Sequence, residues 1–310
     1  MSETLNLPSL AITEAQLARV RAHVAEGPND AYYPAPEDCL HADTPGVEID
    51  HEARRLVIPY EVSGRPAPWH VQHHPNRTEA RENPKLAPLL DPEIVSTQHT
   101  PLPFAVARHY LQQGYWLDQY GNPVPYAAVQ MLEDPEIGVI TGLGAAWHKG
   151  INQSSDLVLA VKPSLHDAWR FAVVVRKNAT NHDGMTAFPG GHNDKDEAGA
   201  LAAQRETSEE TGLPQALLGD PDGYERLNAS LLIGAGATAH AMSGNEVFLH
   251  IVQGAAAKKL LDTPLKASNE SYGVGWRTTA ELAKARAIGK FFPHHLGHLA
   301  LAEARLINIR

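Results

Sequence analysis

The sequence predicts a mixed α/β fold, an alternating α/β or α+β sandwich, preceded by a proline-rich region. Two apolar segments have the composition of buried strands, DLVLAV at 156–161 and FAVVVRK at 171–177. After them, strand candidates alternate with helix candidates, as in layered α/β proteins. Sixteen of the 23 prolines lie in residues 1–125, where they limit long helices and central strands.

We expect residues 1–121 to form a separate N-terminal region that acts as a cap or an interface. Within it, Thr13 and Gln16 match a capping box ahead of an apolar stripe, which predicts a helix. The segment PFAVARHYLQQGYW predicts a second short helix that ends near Gly114. The function of this region is left open by its sequence.

Residues 122–310 are predicted to form the main domain. DEAGALAAQRETSEETG reads as a helix with Asp194 or Asp196 as its N-cap and Gly212 as its C-terminal stop. MTAFPGG before it ends in a glycine turn, and NASLLIG and NEVFLHIV are strand candidates. TTAELAKAR and HHLGHLALAEARLI are predicted to be the last helices.

Charge and composition exclude several classes of protein. The 310 residues include 36 acidic and 26 basic side chains, a net charge of −10, which argues against a binder of duplex nucleic acid. No apolar run approaches the roughly 20 residues that span a bilayer, and no secretory signal is visible, so we expect no membrane partner. The single cysteine, Cys39, fits a reducing compartment and predicts a cytoplasmic protein, whose oligomeric state is left open.

The segment RETSEETG places three glutamates within one helical turn. Glu206 shares a helix face with Glu209 and Glu210, and the Glu206–Glu210 repulsion costs the helix roughly 0.2–0.5 kcal/mol. Arg205 reaches Glu209 along its own row of the helix. The segment is therefore either a solvated acidic surface or a cation site, because Mg²⁺ takes mostly carboxylate, water and phosphate oxygens.

Regular spacing surrounds these glutamates. Gly191, Glu197, Arg205-Glu206, Glu209-Glu210 and Gly212-Leu213 follow the pattern G-x5-E-x7-R-E-U-x-E-E-x-G-U, where U is a bulky apolar residue. This spacing resembles the Nudix box, with every charged and glycine position filled. One departure is Thr207, which stands where the pattern prefers an apolar residue and is expected to loosen that helix face.

The resemblance implies a Nudix α/β/α sandwich and metal-dependent hydrolysis of a nucleoside diphosphate linked to another group. Glu206, Glu209 and Glu210 are then the Mg²⁺ ligands, with Mn²⁺ as an alternative ion, and the carbonyl of Gly190 is a further ligand. Arg205 supports catalysis by orienting Glu209.

The catalytic base is a separate question. In many Nudix hydrolases it is a glutamate on a loop outside the box, which makes Glu270, in ASNESYG, the candidate here. A surface acid without a catalytic role is the alternative. Glu209 or Glu210 acting through a bound water is another.

A closer resemblance, to ADP-ribose pyrophosphatases of the mitochondrial type, covers roughly residues 122–305. It rests on TGLG followed by KGINQSSD, on GGHNDKDE and on FFPHHLGHLALAEA. The small-molecule substrate is then ADP-ribose, cleaved to AMP and ribose 5-phosphate. Asn152, Asp156 and His295 are implied to bind it. Phe188 is a further candidate, for stacking on the base, with a position in the core as the alternative. The arginines of that branch are absent here, with Ile140 at the first position.

Other interpretations stay open beside this one. The same chemistry on another nucleotide sugar or dinucleotide is one, and a sensor that binds ADP-ribose without hydrolysis is another. LLIGAGATA resembles a dinucleotide-binding fingerprint, but a strand follows where that fold needs a helix. His294 and His298, four residues apart, have zinc-ligand spacing without an evident third ligand.

Overall fold

The computed structural model describes residues 12–25, 39–59, 61–62, 65–66, 103–139, 150–177, 182–194, 197–232, 239–307 and 309. The described helices are α1 (Glu14–Ala25), α2 (Phe104–Gln112), α3 (Tyr126–Glu133), α4 (Gly199–Thr211), α5 (Gly254–Asp262), α6 (Thr279–Ala287) and α7 (Leu296–Leu306). None of these helices combines the length and apolar character needed to cross a bilayer.

Thirteen strands are described. They are β1 (Glu48–Asp50), β2 (Arg55–Val57), β3 (Glu61–Val62), β4 (Arg65–Pro66), β5 (Trp116–Leu117), β6 (Pro123–Val124), β7 (Gly150–Lys162), β8 (Arg170–Arg176), β9 (Thr186–Ala187), β10 (Gly190–His192), β11 (Glu225–Leu232), β12 (Ala241–Gln253) and β13 (Ser271–Thr278). Short 3-10 turns lie at Gln215–Leu217, Pro221–Gly223 and Pro293–His295.

The chain divides into two compact units, Met1–Asn152 with Leu231–Gly244, and Gln153–Ser230 with Asn245–Arg310. This division falls at a different position from the predicted domain boundary after residue 121, which stays a prediction. The first unit has a four-stranded sheet in the order β1-β2-β5-β6 and a core shared by α1, α3 and that sheet.

The main sheet runs in the order β11-β12-β7-β8-β13, with β10 paired to β7 and β9 paired to β8. Along β7, Leu157 and Leu159 pack into one core cluster, whereas Val158 and Ala160 pack into another. This alternation gives the sheet two buried faces. Residues of α4 and α5 cover the first face, and residues of α6 and α7 cover the second. The predicted mixed α/β sandwich is confirmed.

Local predictions have mixed outcomes. Thr13 and Gln16 form the predicted reciprocal cap, because the Thr13 N–H donates to Gln16 Oε1 (2.9 Å) and the Gln16 N–H donates to Thr13 Oγ1 (3.3 Å). The N-cap predicted at Asp194 or Asp196 is wrong: α4 begins at Gly199, and Ala198 precedes it without a side-chain cap. Residues 233–238, which hold both glycines of the fingerprint-like segment, and residues 140–149 lie outside the described residues.

Candidate functional site

The helix α4 carries the clustered glutamates along the edge of its buried face, where Glu206 and Glu210 are half-buried and Glu209 is exposed. Thr207, on the buried face, has no exposed surface, and its hydroxyl donates to the Ala203 carbonyl at 2.7 Å. The threonine at this usually apolar position is therefore accommodated by an i−4 hydrogen bond. The helix ends as predicted at Gly212, whose φ of +72° is the left-handed conformation that glycine adopts without strain.

Arg205 is the hub that fixes the carboxylates along α4. Its Nε and Nη2 donate to the two oxygens of Glu197 at 3.0 and 2.9 Å, a bidentate pair. Nη1 donates to Glu206 at 2.8 Å and to Glu209 at 3.4 Å, and Nη2 also donates to the His192 carbonyl at 2.9 Å. The predicted contact with Glu209 is present, but it is the longest of the five.

Burial opposes ionisation of Glu197, yet its hydrogen bonds from Arg205 and the Asp194 N–H hold the pKa of Glu197 below its usual value. The Asp194 N–H donates to Glu197 Oε2 at 2.9 Å. Glu197 is thus an ionised partner that fixes Arg205. These contacts lie in the turn just ahead of α4, where the sequence reasoning had placed the first residues of the helix.

The glycine turn lies directly against the glutamates. The Gly190 N–H donates to Glu210 Oε2 at 3.0 Å. A Cβ added at Gly191 would lie 2.5 Å from the Glu206 carboxylate carbon, so a side chain cannot be accommodated there without moving Glu206. A Cβ at Gly190 would collide with the backbone and side chain of Asp156 on β7. Both glycines are needed for this close approach.

Glu206, Glu209, Glu210 and Glu270 form what we call the glutamate cluster. Burial raises the pKa of Glu210 to about 8. The hydrogen bond from the Gly190 N–H opposes this shift, and the charges of Glu206, Asp156 and Glu270 add to it. Burial also raises the pKa of Glu206 against the pull of Arg205, with further contributions from Glu209 and Glu270. Glu270, on the loop before β13, therefore lies close enough to interact with the carboxylates of α4.

This arrangement fits a hard divalent cation. The cluster offers carboxylate oxygens, and Arg205 is its only positive partner within the ion pairs described for α4. The Glu209 side chain is 60 % exposed and leaves the cluster open to solvent. Oxygen ligands and excess negative charge suit Mg²⁺ or Mn²⁺. Coordination by the Gly190 carbonyl stays a prediction. The N–H of the same residue donates a hydrogen bond to Glu210.

A second group of ionisable side chains, Asp156, His295 and His298, is buried beneath the turn, and we call it the histidine cluster. Asp156 Oδ2 accepts from Asn245 Nδ2 at 2.6 Å and lies 3.3 Å from His295 Nε2 and 4.0 Å from His298 Nδ1. Burial opposes ionisation of Asp156, but the neighbouring His295 and Asn245 lower its pKa. Burial lowers the pKa of His298 to about 4.

The ligand atoms of the histidine cluster lie within 4.8 Å of one another, which is close enough for a metal ion. Hydrogen bonding argues against one. The Phe188 N–H donates to His295 Nδ1 at 3.0 Å, so this nitrogen carries no proton and Nε2 must carry it. A ligating histidine normally binds metal through one nitrogen and donates a hydrogen bond from the other. His295 Nε2 instead donates to Asp156.

The residues predicted to contact substrate are buried. Phe188 is 2 % exposed and packs against Phe171, Phe291 and the ring of His295. Asp156 and His295 are 5 % and 3 % exposed. Asn152, 1 % exposed, lies on β7, where its amide is 3.5 Å from the Gly150 carbonyl. Substrate contact by these residues stays a prediction.

Sequence reasoning missed the partner of Asp156 on β12. Asn245 is the first residue of the strand candidate NEVFLHIV, and its amide donates to Asp156 from 89 residues away. It also missed the shared burial of Asp156 and His298. The only signal was the histidine repeat at 294–298, whose spacing suggested zinc but not the carboxylate that completes the cluster.

Comparison with known proteins supports the presence of a Nudix domain. Residues 164–294 match the family model described as the NUDIX domain. The match begins at the turn before β8 and includes the glycine turn, all of α4 and the loop with Glu270. No curated protein matches the chain.

Several solved structures are similar to part of the chain. A MutT/nudix family protein from Enterococcus faecalis is 19 % identical over 42 % of this chain and 45 % of its own, with a TM-score of 0.32. An Ap4A hydrolase from C. elegans is 20 % identical over 51 % and 99 %, with a TM-score of 0.38. The NUDIX domain of Shewanella oneidensis NrtR, complexed with ADP ribose, is 20 % identical over 51 % and 90 %, with a TM-score of 0.37. Likeness at this level says nothing of substrate.

Proposed function

We propose that this chain is a divalent-metal-dependent pyrophosphatase that hydrolyses a nucleoside diphosphate derivative, with ADP-ribose as the first candidate substrate. The observation that carries the proposal is the glutamate cluster, in which burial and mutual repulsion raise the pKa of Glu210 to about 8. A bound cation removes this repulsion. A diphosphate brings further negative charge to this acidic cluster, and a bound cation compensates that charge as well.

In this proposal, some side chains bind or position the metal ion and another transfers the proton. Glu206, Glu209 and Glu210 hold Mg²⁺ or Mn²⁺, which supplies polarisation of the phosphoryl oxygens and a lowered pKa of bound water. Arg205 fixes the rotamers of Glu206 and Glu209 from one side, through the hydrogen bonds that Glu197 anchors. The Gly190 N–H fixes Glu210 from the other side.

Glu270 is proposed as the general base. The contribution of its charge to the raised pKa values of Glu206 and Glu210 supports this role, because it indicates that Glu270 lies near the proposed ligands. Its carboxylate takes a proton from the water that attacks one phosphorus of the diphosphate bridge. The bond from that phosphorus to the bridging oxygen breaks, and ADP-ribose gives AMP and ribose 5-phosphate.

Substrate identity is the finer part of the proposal. ADP-ribose follows from the resemblance to the mitochondrial-type branch, and the missing arginines of that branch count against tight binding. A guanidinium makes bidentate phosphate contacts that other side chains do not reproduce. We therefore expect hydrolysis of ADP-ribose with a raised KM, since loss of uniform binding raises KM and leaves kcat largely unchanged.

A panel of nucleoside diphosphate derivatives, assayed with and without Mg²⁺ and read by product mass, tests the proposal. AMP and ribose 5-phosphate from ADP-ribose, formed only with metal, are the expected products. Turnover of another nucleotide sugar or a dinucleotide instead, with ADP-ribose inert, would keep the reaction and reject the branch. Binding of ADP-ribose without any turnover would identify a sensor module and reject the enzymatic proposal.

The cellular setting is proposed from composition. The single Cys39 and the acidic balance fit a cytoplasmic protein whose partner is a small nucleotide rather than a nucleic acid duplex or a membrane. Fractionation of cells that express the full chain is the direct test.

A further inference from the structure

The histidine cluster is linked to the glutamate cluster through the turn at residues 188–191. His295 Nδ1 accepts the N–H of Phe188, two residues before Gly190. Gly190 in turn donates its own N–H to Glu210. A continuous path of hydrogen bonds and backbone thus leads from Asp156 through His295 to a proposed metal ligand.

The turn is held by its backbone as well as by the packing of Phe188 against Phe171 and Phe291. Its backbone pairs with β7, where the Leu157 N–H donates to the Pro189 carbonyl at 3.0 Å. The Phe188 N–H donates to the imidazole of His295 instead of to a backbone carbonyl. The ring of His295 stacks on that of Phe188 at 5.7 Å between centroids and 14° between planes. The imidazole therefore fixes both the backbone and the side chain of Phe188.

Asp156 holds the imidazole in the one tautomer that can do this. Because Nδ1 must accept, the proton has to be at Nε2, and Asp156 Oδ2 lies 3.3 Å from that nitrogen. Asn245 fixes the carboxylate by a 2.6 Å hydrogen bond. His298 Nδ1 lies 4.0 Å from the same carboxylate, beyond hydrogen-bond distance, and has no hydrogen-bond partner. His298 is therefore not part of this path.

We propose that Asp156 and His295 are positioning residues, which hold the Phe188–Gly191 turn so that Gly190 fixes Glu210 and Gly191 leaves room for Glu206. The pair acts on the chemical step through the geometry of the glutamates and makes no contact with the substrate. This inference deepens the proposed function and rests on it for its activity measurement alone. It assigns to His295 a different role from the substrate contact that the sequence resemblance implies.

Three variants separate the possible roles. His295→Phe keeps a ring of similar shape and removes both nitrogens. His295→Asn places an amide oxygen where Nδ1 stands and restores an acceptor for the Phe188 N–H. His298→Phe, the matched control, replaces the neighbouring buried ring, whose centroid lies 5.1 Å from that of His295.

Kinetics in saturating Mg²⁺ should show a loss of kcat in His295→Phe by about 10–100-fold, the scale of removing an outer-shell partner, with KM for the substrate unchanged. His295→Asn should recover most of that loss, and His298→Phe should keep the kcat of the wild type. A raised KM with normal kcat in His295→Phe would mean direct substrate contact and would overturn the proposal. Equal losses in His295→Phe and His298→Phe would point to a metal or to packing alone, and also overturn it.

Two measurements do not depend on turnover. Long-range proton–nitrogen NMR of the wild-type histidines should place the proton of His295 on Nε2, and a proton on Nδ1 would refute the pair even if no variant folds. Titration with Mg²⁺ alone should show affinity weakened by about 10–100-fold in His295→Phe and restored in His295→Asn. If wild type hydrolyses no substrate while these two results hold, the proposed function fails and the positioning role stands.

Discussion

The glutamate cluster and the histidine cluster are neighbours built from similar numbers of ionisable groups, yet their charges are compensated in opposite ways. In the histidine cluster, Asp156 is buried, but its contacts with His295 and Asn245 lower its pKa. In the glutamate cluster the pKa of Glu210 is raised to about 8, chiefly by burial and further by three carboxylates. The comparison teaches that proximity of ligand atoms is a poor guide to metal binding. The better candidate is the glutamate cluster, whose carboxylates outnumber their one described positive partner, Arg205.

The largest expected effect is on turnover. Glu210→Gln, and separately Glu209→Gln, should reduce kcat by about 10²–10³-fold, the scale of losing one preorganised electrostatic group, because each removes a ligand charge but little volume. Steady-state kinetics with Mg²⁺ measures this. Glu225→Gln is the matched control, since Glu225 pairs with Arg305 at the surface. A folded Glu210→Gln variant with normal kcat would remove the metal assignment from this cluster.

The next effect concerns the hub of the glutamate cluster. Arg205→Lys should reduce kcat by about 10–100-fold, as for other outer-shell partners of a metal site. A lysine cannot make the bidentate pair with Glu197 and reach Glu206 at the same time. Arg226→Lys serves as control because Arg226, among the described residues, makes one ion pair, with Glu246 at 3.1 Å. If both substitutions have the same small effect, Arg205 contributes charge and not geometry.

A smaller effect should appear in the stability of the metal-free protein. The pKa of Glu210 is about 8 in the folded chain against an ordinary value of 4.5, so the folded state binds the extra proton between these values. Stability should therefore be highest below about pH 4.5 as far as this group is concerned, and fall as pH rises through about 8. Urea unfolding in EDTA should show this decline in wild type and a flatter profile in Glu210→Gln. Parallel profiles would mean that Glu210 ionises normally.

The histidine cluster predicts a slope of the opposite sign. The pKa of His298 is about 4 when folded against an ordinary 6.5, so the unfolded chain binds the extra proton in that interval. The stabilising contribution is present above about pH 6.5 and is lost as pH falls toward about 4. His298→Phe should flatten this acid limb in urea unfolding. An unchanged acid limb in the variant would show that His298 is protonated in the folded state.

The sequence predicts the glutamate cluster well because its members lie within one local pattern. Helical spacing alone places Glu206, Glu209 and Glu210 together, and Gly212 ends the helix as expected. The start of α4 was predicted wrongly, since local capping signals compete with the ion pair between Glu197 and Arg205. That pair forms across the turn that precedes the helix.

The histidine cluster was beyond the reach of such reasoning. Phe188 and His295 are 107 residues apart, and their hydrogen bond depends on where β9 and the turn after it meet the turn before α7. The spacing of His294 and His298 suggested a shared ligand. In the structure His298 is buried toward Asp156, whereas His294 lies among Phe292 and His182. A period of four on a sequence cannot identify partners that come from another strand.

The melting temperature in EDTA and in millimolar Mg²⁺ tests most directly the claim that the glutamate cluster, and not the histidine cluster, holds the cation. An ion that binds only the folded chain adds about 2.7 kcal/mol of stability at 100 times its Kd. Wild type and His298→Phe should both melt higher with Mg²⁺, and the Glu206→Gln/Glu210→Gln double variant should not respond. A shift that persists in the double variant and disappears in His298→Phe would contradict the account.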